Sequence, residues 1–196
     1  MKDNKHSLVI HLLLVSLVVI FANGCKKDKQ PDPPPATVLT IGQSYQGGII
    51  AYILQPGDPN YDANVQHGII AATHDQSTGI QWYYGTSAPT AATASAIGSG
   101  GDNTNTIVAS YGAGSYAAKL CYDLVLNSYS DWVLPSKDEL NKLYLNKAVI
   151  GGFENHFYWS STESDATMAC LQSFLDGTQT LDGKMFSHYV RTIRYF

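Results

Sequence analysis

The chain has 196 residues, 44% of them apolar and 14% charged, with 13 tyrosines, 17 glycines and a formal net charge of −4. From Val38 onward 159 residues carry 7 Lys and Arg against 13 Asp and Glu, a net of −6, and this length suits one domain around one core. Such acidity excludes nucleic acid as a partner, since that binding rests on neutralising phosphates, and it opposes attraction to sulfated polysaccharides or anionic lipid surfaces.

Residues 1–24 read as a signal peptide: Lys2 and Lys5 precede a mostly apolar run from Leu8 to Phe21, followed by Ala22-Asn23-Gly24. A membrane-spanning helix needs roughly 20 apolar residues, more than this run supplies. Cys25 follows directly, and small residues before a cysteine resemble a bacterial lipobox. Cys25 is therefore expected to carry a diacylglyceryl group, each buried methylene contributing about 0.8 kcal/mol to anchoring. The alternative is cleavage near Gly24 with Cys25 as a bystander. Residues 25–37 form the anchor and a proline-rich tether (Pro31, Pro33, Pro34, Pro35), which extends by about 3.1 Å per residue in polyproline II form. The expected location is the bacterial cell envelope, with the protein lipid-anchored to the outer membrane.

The domain spans 38–196. Ile49–Leu54, Gly68–Ala72 and Gly79–Tyr84 are short apolar runs bounded by turn residues and read as strands. From Thr86 to Thr106 the chain is rich in Ala, Thr, Ser, Gly and Asn, which predicts a long loop, with Gly98–Asn103 as a structural turn. Two main helices follow. In Tyr116–Leu126, residues Ala117, Leu120, Cys121, Leu124 and Val125 recur at helical spacing. The second opens at Ser136-Lys137-Asp138-Glu139, a capping-box pattern, and ends at Gly151-Gly152. Tyr158–Ser161, Ala169–Phe174 and Tyr189–Phe196 read as further strands, with a turn at Asp176-Gly177. Sheet, two helices, then sheet is an α+β arrangement of antiparallel sheets.

Three strings carry a resemblance to a known family: DWVLPSKDELNKLY (Asp131–Tyr144), YWSSTE (Tyr158–Glu163) and VRTIRYF (Val190–Phe196). They resemble the Lcl C-terminal domain family of bacterial envelope proteins, and the resemblance covers nearly all of 45–196. It implies a C-type-lectin-like domain, related to the major-paralogous and formylglycine-generating-enzyme-like domains. Val133 stands where the family commonly has Arg, and Cys170 where it has a large aromatic. The best-known member of the family is implicated in binding sulfated glycans through positive charge, and that ligand does not transfer to a domain of net −6.

Candidate sites follow from residue chemistry. Asp58, Asn60, Asp62 and Asn64 space oxygens as the start of a calcium loop does. However, Ala63 replaces the turn glycine and Ile69 the closing Glu, so an Asx-rich turn is the competing reading. Calcium is the one cofactor under consideration. Cys121 and Cys170 are available for a disulfide in an oxidising envelope. His67, His74, His156 and His188 have no zinc spacing. Trp132 and Trp159 are expected in the core. Arg191 and Arg194 should face opposite ways, one pairing with a buried carboxylate such as Glu139 or Glu163. The acid pair Glu163/Asp165 reads as a solvated face. Tyr83, Tyr84, Asp102, Asn103 and Asn105, in and around the long loop, are the candidate ligand contacts, because Tyr and Asn supply stacking area and adaptable hydrogen bonds. No nucleophile-base set is present. The expected function is a non-enzymatic, membrane-held binding or adhesion module for a glycan or an envelope or host surface protein. The alternatives are a structural envelope component, or an enzyme of the formylglycine-generating type using Cys121 or Cys170.

Overall fold

The computed structural model describes residues 38–196, so the signal peptide 1–24, the lipidation site Cys25 and the tether 25–37 lie outside the described residues. Gln46 and Gly47 both take positive φ, 40° and 88°, and join β1 (Ser44–Tyr45) to β2 (Gly48–Ile53) by a two-residue hairpin turn matching strand twist. The β2 strand pairs with β3 (Gly68–Ala71), which is buried along its whole length. Ile69 and Ala71 on β3 enter the core cluster that holds Leu140, Tyr158 and Phe174, whereas Ile70 packs with Trp132. A strand covered on both faces reads as a continuous apolar run, which is why GIIA shows no alternation.

The second sheet has five strands in the order β4 (Ser77–Gln81), β8 (Ser187–Val190), β5 (Phe157–Glu163), β6 (Met168–Ser173) and β7 (Gln179–Gly183). All its pairs are antiparallel except β5 with β8. It curls enough for His188 on β8 to meet Asp182 on β7 at 2.8 Å, although two strands lie between them. The predicted strand Gly79–Tyr84 is shifted, because β4 stops at Gln81 and Trp82 turns into the core. The predicted single strand Tyr189–Phe196 is two. The β8 strand closes beside β5, and β9 (Ile193–Tyr195) crosses to the four-stranded sheet to pair with β3.

The crossing residues explain the break. Arg191 is fully buried, its Nε donating to Asp75 Oδ1 at 2.7 Å and its guanidinium to the Ala72 and Gly152 carbonyls, with Phe153 stacked 4.0 Å away. Arg194 points elsewhere, onto Asp131 (2.7 and 2.8 Å) and Gln46. The two arginines do face apart, but their partners are Asp75 and Asp131 rather than Glu139 or Glu163. Each of those glutamates has nearer donors of its own.

Among the described residues four helices complete the α+β architecture. One is absent from the sequence expectation: α1 (Gly100–Tyr111) begins inside the predicted loop and takes up residues 100–103 of the expected Gly98–Asn103 turn. Its buried residues, Gly100, Asn103, Thr104 and Ile107, follow helical spacing but are mostly small or polar. They dock by hydrogen bonds instead of apolar area. Asn103 Nδ2 donates to the Ala94 carbonyl at 2.6 Å, and Thr104 Oγ1 accepts from the Leu134 amide at 3.0 Å. The predicted helix Tyr116–Leu126 shrinks to α2 (Ala117–Tyr122). Leu124 and Leu126 are apolar because they pack on Trp132, reached through a reversal at Asn127 and Ser128, whose φ values are 52° and 68°. By contrast α3 (Lys137–Leu145) starts on the expected capping box, complete in both directions, and α4 (Lys147–Ile150) leads to Gly151. Trp132 and Trp159 are in the core as expected, together with Trp82. Among the described residues no helix is long and apolar enough to cross a membrane.

Candidate functional site

Beyond β4 the chain leaves the sheet with Trp82 buried, Tyr83 packed half-buried against the same core and Tyr84 exposed, before Gly85 turns it at φ 75°. The end of α1 brings Tyr111 to the same place, and the start of α2 brings Tyr116. The result is a continuous run of rings. Tyr83 and Tyr111 lie 6.2 Å apart, Tyr111 meets Tyr116 edge-to-face at 5.8 Å, and Tyr84 stacks on Tyr116 at 6.5 Å and 24°. Tyr116 is buried, Tyr83 and Tyr111 are half-buried, and Tyr84 remains 51% exposed. A Cβ on Gly114 would overlap the Tyr84 ring, so the missing side chain at that position lets the ring lie on the backbone. The Tyr116 hydroxyl donates to the Gly112 carbonyl (2.7 Å) and that of Tyr111 to the Ala88 carbonyl (2.8 Å), which fixes both rings. Burial pushes both phenols upward, with Asp123 adding to the effect at Tyr116.

The segment leading from Tyr84 to α1 is held at both ends by buried carboxylates. Glu163, expected on a solvated face, is instead almost wholly buried and accepts from the amides of Thr90 (2.9 Å) and Ala91 (2.8 Å). It also pairs with the fully buried Lys184, whose ammonium lies 4.5 Å over the Trp82 ring. Glu139 sits under the glycine-rich turn. Its carboxylate accepts from the amides of Ser136 and Gly98, both at 2.7 Å, and from the Tyr195 hydroxyl at 2.8 Å. Burial raises the Glu139 carboxyl, opposed by those hydrogen bonds, and burial next to Glu139 raises the Tyr195 phenol. Gly100 has no room for a Cβ because the Glu139 carboxylate, the Leu134 carbonyl and the Tyr195 hydroxyl surround it. The turn that leads into α1 thus gives its Gly98 amide to a carboxylate of the protein itself.

The predicted contact residues therefore separate. Tyr83 and Tyr84 join the ledge. Asn103 is 3% exposed and serves the core, bonded to Ala94 and Ser161. Asp102 and Asn105 are exposed near the start of α1. At about 1.5 Å per residue that places them roughly 14 and 9 Å along the axis from Tyr111. Tyr111 and Tyr116 were missed as site residues. The signal for them was only that Tyr recurs at 83, 84, 111 and 116, and no local pattern pairs residues so far apart.

The other candidates resolve as turns and thiols. Asp58 accepts from the Tyr52 hydroxyl (2.7 Å) and the Gln55 amide (2.8 Å), and burial, with Asp58 adding to it, pushes the Tyr52 phenol up to about 12. Asp62 accepts from the Asn64 amide at 2.7 Å, an Asx turn, and Asn60 holds a positive φ of 63°. The carboxylates of the proposed calcium loop are thus turned to separate local partners. Among the described residues no group of three or more His, Cys, Asp or Glu is placed to hold a metal. Cys121 and Cys170 are free thiols and not the proposed disulfide: Cys121 is buried among Trp82, Ile107 and Leu134, while Cys170 lies opposite Leu181 on β6. Burial pushes the Cys121 thiol up to about 12 and raises that of Cys170. A cleft of about 240 Å³ opens between the Pro59-Asn60 turn, Ile97-Gly98 and the β9 end, with His67 on its wall.

Among known proteins, the family model described as the Lcl C-terminal domain matches residues 71–194. This stretch includes the whole ledge, the Glu163 clamp, Glu139 with its amide partners, and the α3 capping box. No curated protein matches the chain.

Proposed function

The chain belongs to the Lcl C-terminal domain family, and on that premise we propose that it is a lipoprotein of the bacterial envelope that presents a lectin-like binding or adhesion module. Cys25 is its lipid anchor, residues 26–37 its tether, and the outer membrane its location. The ligand, a glycan or a surface protein, meets the ledge of Tyr83, Tyr84, Tyr111 and Tyr116.

One observation carries the reading: the Tyr84 ring is supported from beneath by Gly114 and Tyr116 while half of it faces solvent. Large aromatic area held in a fixed pose is the arrangement from which binding surfaces draw their energy, because little side-chain freedom is lost on contact. The reading is non-enzymatic. Glu139 and Glu163 have their oxygens taken up by backbone amides, Tyr195 and Lys184, and reactive thiols need exposure and lowered pKa, the reverse of Cys121.

The test is a binding screen of the purified full chain against glycans and envelope or host surface proteins, repeated with Tyr83→Ala/Tyr84→Ala. A ligand lost in the double variant is the expected result. Binding that ignores the substitution, or no ligand at all, overturns the ledge as the functional surface and leaves a structural envelope role. In parallel, Cys25→Ala should move the protein out of the membrane fraction.

A further inference from the structure

We propose that the ledge binds a neutral glycan by stacking a pyranose ring on the open face of Tyr84, with the chain continuing into the groove that begins at Gly114. The inference rests on the ledge being the functional surface and adds the class of ligand it takes.

The groove, about 310 Å³, runs from Gly114 and Ser115 past Lys119 and Leu120 to Asp123 and Val125. Its starting residue, Gly114, is the one beneath the Tyr84 ring. A pyranose has one face made of C–H bonds, weakly electropositive and apolar, and a rim of hydroxyls. The C–H face matches the negative π-face of a tyrosine, and the hydroxyls need planar or pivoting polar groups beside it. The Ser115 hydroxyl, the Asp123 carboxylate and the Lys119 ammonium line the groove that starts at Gly114 and supply these. Leu120 and Val125 offer apolar wall. The ring is already held by Tyr116 and Gly114, so binding does not have to order it.

Charge selects within the glycans. Among the described residues Lys119 is the only cation lining the groove, and it is paired with Asp123, so they leave no unpaired positive charge there for a sulfate or a uronate. The domain as a whole carries −6. Ring geometry argues against the other familiar user of tyrosine ledges, a proline-rich peptide, whose rings wedge into slots between parallel aromatic ridges. Here the interval between Tyr111 and Tyr116 is closed by their edge-to-face contact at 5.8 Å and 73°, and Tyr84 is the one ring of the ledge that stays largely exposed.

The experiment uses the full chain in saturation-transfer NMR and calorimetry. The neutral probes are cellohexaose, chitohexaose and laminarihexaose; the comparators are a heparin hexasaccharide and a proline-rich decapeptide. At least one neutral hexasaccharide is expected to bind, with saturation concentrated on its ring C–H protons. Tyr84→Ala should weaken it at least about tenfold, since stacked aromatics dominate such contacts. Tyr84→Trp should retain it, Gly114→Ala should weaken it by displacing the ring, and Asn105→Ala should leave it unchanged. Circular dichroism verifies that each variant is folded. Binding of only heparin or the peptide, lost in Tyr84→Ala, overturns the neutral-glycan assignment and leaves the ledge as a binding surface. No binding to any probe overturns the assignment, and the wider screen then decides the ledge. Neutral-glycan binding indifferent to Tyr84→Ala overturns both.

Discussion

Glu163 and Lys184 meet in a dry part of the core, where each charge is tolerable only because the other is present and both are further hydrogen-bonded. Glu163 holds the amides of Thr90 and Ala91, and Lys184 donates to the Ala88 and Ala166 carbonyls. Removing one partner strands a buried charge, which costs about 3–5 kcal/mol. Lys184→Met should therefore lower the urea-unfolding free energy by about that much. Glu163→Gln/Lys184→Met should recover part of it, because a neutral amide can still accept from Thr90 or Ala91 with no charge left behind. Strictly additive losses in the two single variants would show that the charges do not depend on each other. Neither partner is legible from its neighbours in the chain: Glu163 ends a polar Ser-Ser-Thr-Glu run that looks like solvent-facing strand, and Lys184 sits in a turn.

At the scale of elements, α3 and α1 mark the limits of local inference. The α3 start is written within four residues, since Ser136 and Glu139 satisfy each other's backbone amides whatever surrounds them. The start of α1 depends on Glu139, some forty residues away, reaching the Gly98 amide beneath it. Its glycines consequently differ in kind. A Cβ at Gly100 would collide with the Glu139 carboxylate and the Leu134 carbonyl, whereas one at Gly101 would meet only the Tyr195 ring at an ordinary 3.7 Å. Gly100→Ala should destabilise by about 1–3 kcal/mol through overpacking. Gly101→Ala should be neutral or stabilising by less than about 1 kcal/mol, the usual gain of alanine over glycine in a helix. Thermal denaturation of the two variants distinguishes them, and equal losses would mean the collision is relieved by movement of α1. The shortened α2 has the converse explanation. Leu124 and Val125 continue its apolar spacing, but Leu124 packs on the Trp132 cluster and Val125 is exposed.

For the molecule as a whole, the closing strand ties the two sheets together by charge as well as by pairing. Arg191 binds Asp75 at the crossover, and Arg194 binds Asp131 next to the buried Trp132. The Arg194 guanidinium holds the Asp131 carboxyl below its ordinary range by hydrogen bonding, against a smaller effect of burial. A carboxyl lowered in the folded state contributes stability above its unfolded value near 3.8, and that contribution is lost as pH falls through the lowered folded value. The Asp131 side chain is 56% exposed, so screening keeps the effect below about 1 kcal/mol. Asp131→Asn should therefore be slightly less stable than the parent at pH 7, and the gap should close as the pH falls below 3.8 and through the lowered folded value. A gap independent of pH would assign the loss to hydrogen-bond geometry instead of charge. The wider charge balance acts at the surface: −6 on the domain is carried largely outside these clamps, where it bears on which partners approach.

Local order and composition determined what needs only neighbours in the chain: the α+β class, most of the strands, the capping box of α3, the burial of Trp132 and Trp159, and the family resemblance in the strings around them. Asp58 and Asp62 were open to two local readings, and the structure turns both toward local hydrogen bonds. Tertiary structure alone decided the rest. The α1 helix has a buried face of Gly, Asn and Thr that carries no apolar period, so it is stabilised by acceptors and donors brought from Ala94, Leu134 and Ser161. Residues 189–196 are one strand by composition and two by topology, because Arg191 is drawn to Asp75, 116 residues earlier. The ledge is likewise a product of assembly. Tyr83 and Tyr84 are legible as candidate contacts beside the long loop, but what makes Tyr84 a platform is Gly114 and Tyr116 against it, and stacking is a property of rings in space that no spacing along the chain encodes.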